Sequence, residues 1–196
     1  TSRFARNLYK GAGFSASTWG HQSCGLSNSQ MNDLESRALA ASGIPAPGRC
    51  RTMALMVTYG VLGTPKARVI RETMLSWFEI LQTPGIKSIL PEIRVAWGRT
   101  RERLSKLKFP ELHVRGLLSN VVLILLKAGW SPHAYNCWQD DEGIFWTTSN
   151  HSVGSNIVAS LIAKSTAKIS LKKASSHYHG KGMENGIDYE PTFRLL

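Results

Sequence analysis

The chain has 196 residues, of which 42% are hydrophobic, enough to bury a core in one domain or two small ones without disulfide staples. Its 24 lysines and arginines outnumber 13 acidic residues and give a net charge of +11, so we expect a polyanionic partner, either nucleic acid or an anionic membrane. The longest apolar run, residues 121–126 after Leu117 and Leu118, is far shorter than the ~20 residues that span a bilayer, which disfavours the membrane.

The first residues of the chain and its cysteines indicate in which cellular compartment the protein resides. Residues 1–20 lack the apolar core of a secretion signal, and the acid-free stretch through Asn32 is compatible with material just inside a mitochondrial transit cleavage. Cys24, Cys50 and Cys137 are odd in number and unclustered, which favours packing residues in a reducing compartment. We therefore expect a processed or excised piece, with the mitochondrial matrix favoured as its location.

Residues 1–26 are predicted to form a basic N-terminal arm, and the first long helix follows it. Ser27 and Gln30 have the spacing of a capping box, in which each side chain binds the backbone of the other residue. Gly43 ends this helix, and residues 44–48 form a turn.

Two more helices are predicted before residue 83. A short one spans residues 49–59. Thr64 and Pro65 then suit the N-cap and the first position of a helix that continues to about residue 82. Its apolar face carries Val69, Ile70, Met74, Trp77, Phe78 and Leu81.

The fourth helix begins near Pro91 and places Trp97 and Leu104 inward. The fifth, residues 117–128, is apolar nearly all round, so we expect other elements to cover it and to make it the centre of the core. Residues 27–130 are thus predicted to form a helical core.

Beyond residue 130 the periodicity changes. Short aromatic runs at residues 135–138 and 144–147 flank a polar turn, which is typical of a hairpin. A long basic helix over residues 155–176 and a C-terminal turn and helix complete a region, 131–196, that packs on the core. The predicted fold class is mainly α, a bundle of about six helices with one small β-hairpin near residues 135–147.

The strongest functional signal is a basic cluster on and after the fourth helix. Its members are Arg94, Arg99, Arg101, Arg103, Lys106, Lys108 and Arg115. Only Glu102 and Glu111 lie among them. Arginine offers planar, multidentate donors suited to phosphate, so such a stripe can follow a nucleic-acid backbone. The alternative is an ordinary solvated face, but the high charge of the whole chain favours contact with nucleic acid.

A second basic group lies on the long C-terminal helix. Its members are Lys164, Lys168 and Lys172, spaced four apart, with Lys173 beside them. The sequence has no acid between Glu142 and Glu184, so these like charges repel one another and a bound polyanion would relieve the repulsion. A solvated amphipathic helix is the alternative.

The two ends of the chain are also candidates. Arg3, Arg6 and Lys10, interleaved with Phe4 and Tyr9, could hold phosphates while the aromatic rings stack on unpaired bases, although a disordered start is equally compatible. Near the C-terminus, a basic group able to meet phosphate consists of His177, His179 and Lys181.

Metal and catalytic sites have weaker support. His21 and Cys24 have a ligand-like gap but lack a second ligand pair at zinc spacing, so we predict no metal and no cofactor. Asp140 and Asp141 resemble the paired aspartates that hold magnesium in polymerases, but the other acids before them fall in predicted helices. A polar turn that ends at Gly143 explains them as well. We predict a chain that is not an enzyme and has no small-molecule substrate.

Several short motifs occur in order along the chain. They are Trp19-Gly20-His21-Gln22, Gly25-Leu26-Ser27 with Ser29-Gln30, Gly48-Arg49-Cys50, Arg115-Gly116-Leu117, Ala128-Gly129-Trp130 with Pro132, Trp138 to Trp146 with Asp140 and Gly143, and residues 179–188. Together they resemble the segment downstream of the polymerase palm in LINE-like retroelements of alveolate protists. The resemblance spans most of the chain and implies thumb and connection material, between reverse transcriptase and ribonuclease H, that grips a template duplex.

The sequence departs from that family because it lacks the fingers, the palm and a ribonuclease carboxylate cluster. Polymerase or nuclease activity therefore does not carry over. We predict a non-catalytic RNA-binding structural component of a ribonucleoprotein, such as a protist mitochondrial ribosome, derived from a retroelement polymerase and contacting ribosomal RNA and other subunits. One alternative is a nucleic-acid-gripping fragment of an active reverse transcriptase. Another is a protein-interaction domain whose charge serves solubility and whose tryptophans partly form an interface.

Overall fold

The structure is a computed structural model that describes residues 2–44, 50–148 and 154–176. These residues form a mainly helical fold with a small three-stranded antiparallel sheet, which confirms the predicted class. The helices are α1 (Ser2–Leu8), α2 (Phe14–Thr18), α3 (His21–Cys24), α4 (Asn28–Ser42), α5 (Arg51–Tyr59), α6 (Pro65–Gln82), α7 (Leu90–Ser105), α8 (Leu117–Lys127) and α9 (Ser155–Ser175). The strands are β1 (Ser131–Ala134), β2 (Cys137–Gln139) and β3 (Phe145–Thr147). None of the described helices is both long and apolar enough to cross a membrane.

The predicted N-cap residues begin α4 and α6, and the predicted proline occupies the first position of α6. The Ser27 hydroxyl accepts a hydrogen bond from the Gln30 amide at 3.2 Å, and the Gln30 side chain accepts one from the Ser27 amide at 2.9 Å, so the capping box is confirmed. The Thr64 hydroxyl accepts from the Ala67 amide at 3.4 Å, and Pro65 occupies the first position of α6. Local side-chain chemistry therefore fixes where α4 and α6 begin.

The main core is built around α8, as its composition predicted. Residues 121–125 of this helix are all buried. Beside it, α6 and α9 pack against each other through small side chains, with Ala67 of α6 and Ala159 and Ala163 of α9 almost fully buried. Small residues let two helix axes come close together, so α9 is a core element as well as a carrier of lysines.

The prediction that the N-terminal residues form a separate basic arm is corrected by a second apolar cluster, which includes Tyr9 and Phe14. Tyr9 and Phe14 are buried, at 9% and 0% exposure, against α4, α5 and α6. The Tyr9 hydroxyl donates to the Leu34 carbonyl at 3.2 Å, and the Arg68 guanidinium lies 3.6 Å from the centre of the Phe14 ring. Residues 2–24 are part of the folded body because these aromatic rings fill an apolar site on distant helices, and they add short helices to the six predicted.

The sheet contains the predicted hairpin and one additional strand. Trp138 of β2 lies opposite Trp146 of β3, and Gln139 lies opposite Phe145. β1 pairs antiparallel with the other edge of β2. Its sequence, Ser-Pro-His-Ala, lacks the alternation of apolar and polar residues that would predict a strand, so the sequence carried no signal for it.

Indole N–H groups fasten the sheet to the helices. Trp77 of α6 donates to the Tyr135 carbonyl at 3.0 Å, and Trp97 of α7 donates to the Pro132 carbonyl at 3.1 Å. The almost fully buried tryptophans are Trp77, Trp97, Trp130 and Trp138. The inward positions predicted for Trp77 and Trp97 are confirmed, and their hydrogen bonds hold the sheet in a fixed position beside α7.

Candidate nucleic-acid interface

The predicted basic cluster is exposed along its whole length, but the fold divides the part on α7 into two rows. Trp97 and Leu104 mark the side of α7 that faces the core. With about 3.6 residues per turn, the arginines leave the helix on two flanks. Arg101 leaves on the flank that contacts the sheet, and helical spacing puts Arg94 on the same flank two turns earlier. The opposite flank carries Arg99 and Arg103, with Lys106 at the C-cap.

The row on the sheet side borders the outer face of the sheet. Arg101 donates from Nη1 to the His133 carbonyl of β1 at 3.3 Å. The rings of His133 and Phe145 have centroids 5.4 Å apart with 34° between their planes, and Phe145 is 58% exposed. Because side chains alternate along a strand, Phe145 faces outward while Trp146 faces the core. We call Arg94, Arg101, His133 and Phe145 the sheet-side surface.

The sheet-side surface combines the two chemistries that bind single-stranded nucleic acid. Exposed aromatic rings can stack on unpaired bases, and guanidinium groups can hold the neighbouring phosphates. Arg94 and Arg101 were predicted from the sequence as nucleic-acid-binding residues, whereas His133 and Phe145 were not. The signal for Phe145 was the alternation in residues 145–147, which places it on the outer face once Trp146 is assigned to the core.

The opposite row of α7 is partly neutralised. Lys106 lies 2.7 Å from a carboxylate oxygen of Glu102, and this hydrogen bond lowers the pKa of Glu102 below its ordinary value. Arg103 donates to the His113 carbonyl at 3.4 Å. Lys108 and Arg115 follow the helix as exposed residues. Beyond the end of α7, the exposed Phe109 ring lies with the Lys108 ammonium 5.5 Å from its centre.

The lysines of α9 do not act as the uniform group that was predicted. Lys164, Lys168 and Lys172 are exposed on one side of the helix, but Lys168 lies 2.9 Å from Glu142 and 3.5 Å from Asp141. The hydrogen bond to Glu142 raises the pKa of Lys168. The expectation that these lysines are unpaired is wrong for Lys168, because the hairpin folds back on α9 and places Asp141 and Glu142 beside it.

The N-terminal cations are exposed or half-buried around the second apolar cluster. Arg3 and Lys10 are exposed, Arg6 is half-buried, and the Lys10 ammonium lies 5.4 Å from the centre of the Tyr59 ring. Burial of Tyr9 removes one of the two rings predicted to stack on bases, whereas Phe4 is 74% exposed. The C-terminal group of His177, His179 and Lys181 lies outside the described residues.

The hairpin aspartates are engaged in hydrogen bonds that shape the turn. Asp140 accepts from the amides of Glu142 and Ile144 at 2.9 and 2.8 Å and from the Trp146 indole at 2.8 Å. Although its partial burial acts in the opposite direction, these hydrogen bonds lower the pKa of Asp140. Asp141 accepts from the Ser165 hydroxyl at 2.8 Å. These contacts match the polar-turn interpretation of the pair.

Within the described ranges, no three or more His, Cys, Asp and Glu side chains come together as a set of metal ligands. His21 is 2% exposed, hydrogen-bonds the Thr18 carbonyl through Nδ1 and places Nε2 3.7 Å from Glu72. Cys24 is exposed on the surface. His21 therefore contributes to the packing of α3 on α6.

Comparison with known protein families, with curated proteins and with solved structures finds no match to this chain.

Proposed function

We propose that the chain is a non-catalytic RNA-binding structural component of a ribonucleoprotein, and that the sheet-side surface is its principal RNA contact. The observation that carries the proposal is the exposed pair of His133 and Phe145 rings beside Arg101. Unpaired bases stack on such a platform irrespective of sequence, and the net charge of +11 attracts the strand over a longer range.

The non-catalytic part of the proposal is supported by the hydrogen bonding of the hairpin acids. Asp140 has three hydrogen bonds from within its own turn, and Asp141 contacts Ser165 and Lys168 of α9. Asp140 thus shapes the hairpin itself, and Asp141 holds it on α9. The motif resemblance supports derivation from a retroelement polymerase, and a particle such as a mitochondrial ribosome suits a basic module of this kind. Co-sedimentation of the native protein with ribosomal particles tests that location.

The RNA proposal is tested by the affinity for a single-stranded RNA, measured by fluorescence anisotropy over a range of salt concentrations. Each lost phosphate contact should reduce the slope of log K against log salt by about 0.7, so the double variant Arg94→Gln/Arg101→Gln should lose about 1.4. Arg37→Gln, an exposed cation on α4, a helix that packs on α1, α5 and α6, is the matched control. Equal slopes for the double variant and the control would contradict the proposal.

Stacking is tested separately with Phe145→Ala. Loss of a stacked base should weaken RNA binding roughly tenfold while leaving the salt slope unchanged, because no phosphate contact is removed. Ile157→Ala, which trims another exposed apolar side chain at 55% exposure, is the control and should bind as the unmodified chain does. Equal affinities of Phe145→Ala and Ile157→Ala would exclude the aromatic platform.

A further inference from the structure

A cleft of about 690 Å³ lies on another part of the molecule, between α4, α6, α8 and α9. Its walls include the lysines Lys66, Lys108, Lys127 and Lys173 and the glutamates Glu35 and Glu111. Four cations thus face two acids. We call this site the lysine cleft. None of the residues of the sheet-side surface lines it.

Lys66 occupies an unfavourable place for a cation. It is half-buried in the first turn of α6, where the helix dipole presents its positive end. Burial lowers the pKa of Lys66, and the nearby charges of Lys127 and Lys173 lower it further, although the Glu35 carboxylate acts in the opposite direction. Its side-chain hydrogen bond is a long one, 3.5 Å to the Ser170 hydroxyl.

The acids in the cleft offset only part of this charge. Glu111 is occupied by Lys127 at 3.4 Å and by the amide of Asn28 at 2.6 Å. Burial raises the pKa of Glu35 against the opposing charges of Lys66 and Arg51, and among the described residues no cationic nitrogen lies within 4.0 Å of its carboxylate. Because Glu111 already pairs with Lys127 and Glu35 offsets only part of the remaining charge, a bound anion would relieve the repulsion between Lys66 and Lys173.

The rest of the cleft is suited to an organic body attached to that anion. Met31, Ile70 and Ile124 form apolar wall, and the volume is in the range of ordinary ligand sites, about 300–1,000 Å³. Phe109 lies at the edge, is 53% exposed and has the Lys108 ammonium 5.5 Å from its ring centre. An exposed ring beside a cation is a stacking site for a planar heterocycle.

We propose that the lysine cleft binds a nucleoside phosphate, with the phosphate facing Lys66, Lys127 and Lys173 and the base against Phe109. The ligand is either a free nucleotide or the terminal nucleotide of an RNA strand. This site goes beyond the proposed RNA contact and does not depend on it. A nucleotide ligand also differs from the sequence-based prediction of no small-molecule substrate.

Calorimetric titration of the full chain with AMP and with adenosine tests the proposal. AMP should bind with micromolar to low-millimolar affinity, and adenosine should bind at least about tenfold more weakly, because it lacks the group that meets the lysines. Absence of AMP binding, or equal affinity for adenosine, would overturn the proposal, as would binding of an acidic peptide in place of AMP.

Variants locate the site. Lys173→Gln and Lys66→Met should each weaken AMP binding about tenfold, whereas Lys172→Gln, the exposed neighbour on α9, should not. Phe109→Ala should weaken AMP binding, and Leu112→Ala, which trims an apolar residue at 70% exposure nearby, is its control. If the substituted proteins are folded and bind AMP as the unmodified chain does, the lysine cleft is not the site. Lys173→Gln provides this test even if Lys66→Met does not fold.

Two further measurements distinguish a free nucleotide from an RNA end as the ligand, and the nucleotide site from the proposed RNA contact. Displacement of AMP by a short RNA with a terminal phosphate, but not by the same RNA without it, would identify an RNA end as the ligand. No displacement would identify the free nucleotide. Arg94→Gln/Arg101→Gln should keep AMP binding, and Lys66→Met should keep RNA binding through the sheet-side surface, so failure of one proposal is distinguishable from failure of the other.

Discussion

Replacing Asp140 with alanine should destabilise the hairpin that presents Phe145. The Asp140 carboxylate accepts three hydrogen bonds, two from amides of the exposed turn and one from the part-buried indole of Trp146. Water can replace the carboxylate at the two amides, but the indole N–H is left with a poor alternative, and an unsatisfied buried donor costs about 1–3 kcal/mol. We expect a loss of about 2 kcal/mol in the free energy of unfolding.

Urea denaturation near neutral pH, followed by tryptophan fluorescence, measures this loss. Asp33→Ala is the matched control, since Asp33 is 77% exposed and its ion-pair contact with Arg37 is 3.9 Å long, so we expect less than about 0.5 kcal/mol. Asp140→Asn keeps one carbonyl acceptor, so its stability should lie between those of Asp140→Ala and Asp33→Ala. Equal stabilities of Asp140→Ala and Asp33→Ala would refute the role given to the Asp140 hydrogen bonds.

The pH dependence of the same variant provides an independent check. The hydrogen bonds from Trp146, Ile144 and Glu142 lower the folded-state pKa of Asp140 although partial burial opposes them. The stabilisation is therefore complete above the ordinary carboxyl pKa and is lost as the pH falls through the lowered folded-state pKa. The stability difference between the unmodified chain and Asp140→Ala should shrink in acid. A difference that grows in acid would contradict this assignment.

Three other substitutions test separate features of the account. Trp97→Phe removes the N–H that donates to Pro132 and leaves a small void, so unfolding by urea should show a loss of about 2 kcal/mol. Thr64→Ala removes the N-cap of α6 and should cost about 1 kcal/mol in the same assay, and no change would show that the cap is replaced by water. Lys168→Gln should reduce RNA affinity less than Lys172→Gln, because hairpin acids already neutralise Lys168; the reverse order would contradict this.

The parts of the fold that were predictable from the sequence are those governed by local chemistry. Ser27 with Gln30, and Thr64 with Pro65, act within one helical turn, so their spacing determines where a helix begins. The apolar character of α8 predicted its central position, because a helix without a polar face must be covered on all sides.

The N-terminal region was not predictable in this way. Tyr9 and Phe14 are buried by Leu34 and other residues of distant helices, and Arg68 covers the Phe14 ring. Nothing within residues 1–26 indicates that such an apolar site exists elsewhere in the chain. Their basic and aromatic composition therefore suggested an arm.

The candidate site was predictable in its charge but not in its arrangement. Arg101 belongs to a cluster visible in the sequence, but its place beside His133 depends on β1, a strand without a periodic signal. The pairing of Lys168 with Glu142 joins residues 26 positions apart and depends on how the hairpin folds back on α9. Contacts of this range are set by tertiary packing, which the spacing of charges along the sequence does not encode.

Ultraviolet cross-linking of the purified chain to a bound single-stranded RNA, followed by mapping of the modified peptides, tests the central claim most directly. The sheet-side surface predicts adducts at His133 and Phe145, lost when Arg94→Gln/Arg101→Gln abolishes the neighbouring phosphate contacts. Adducts confined to α1 or α9, with residues 131–147 unmodified, would contradict it.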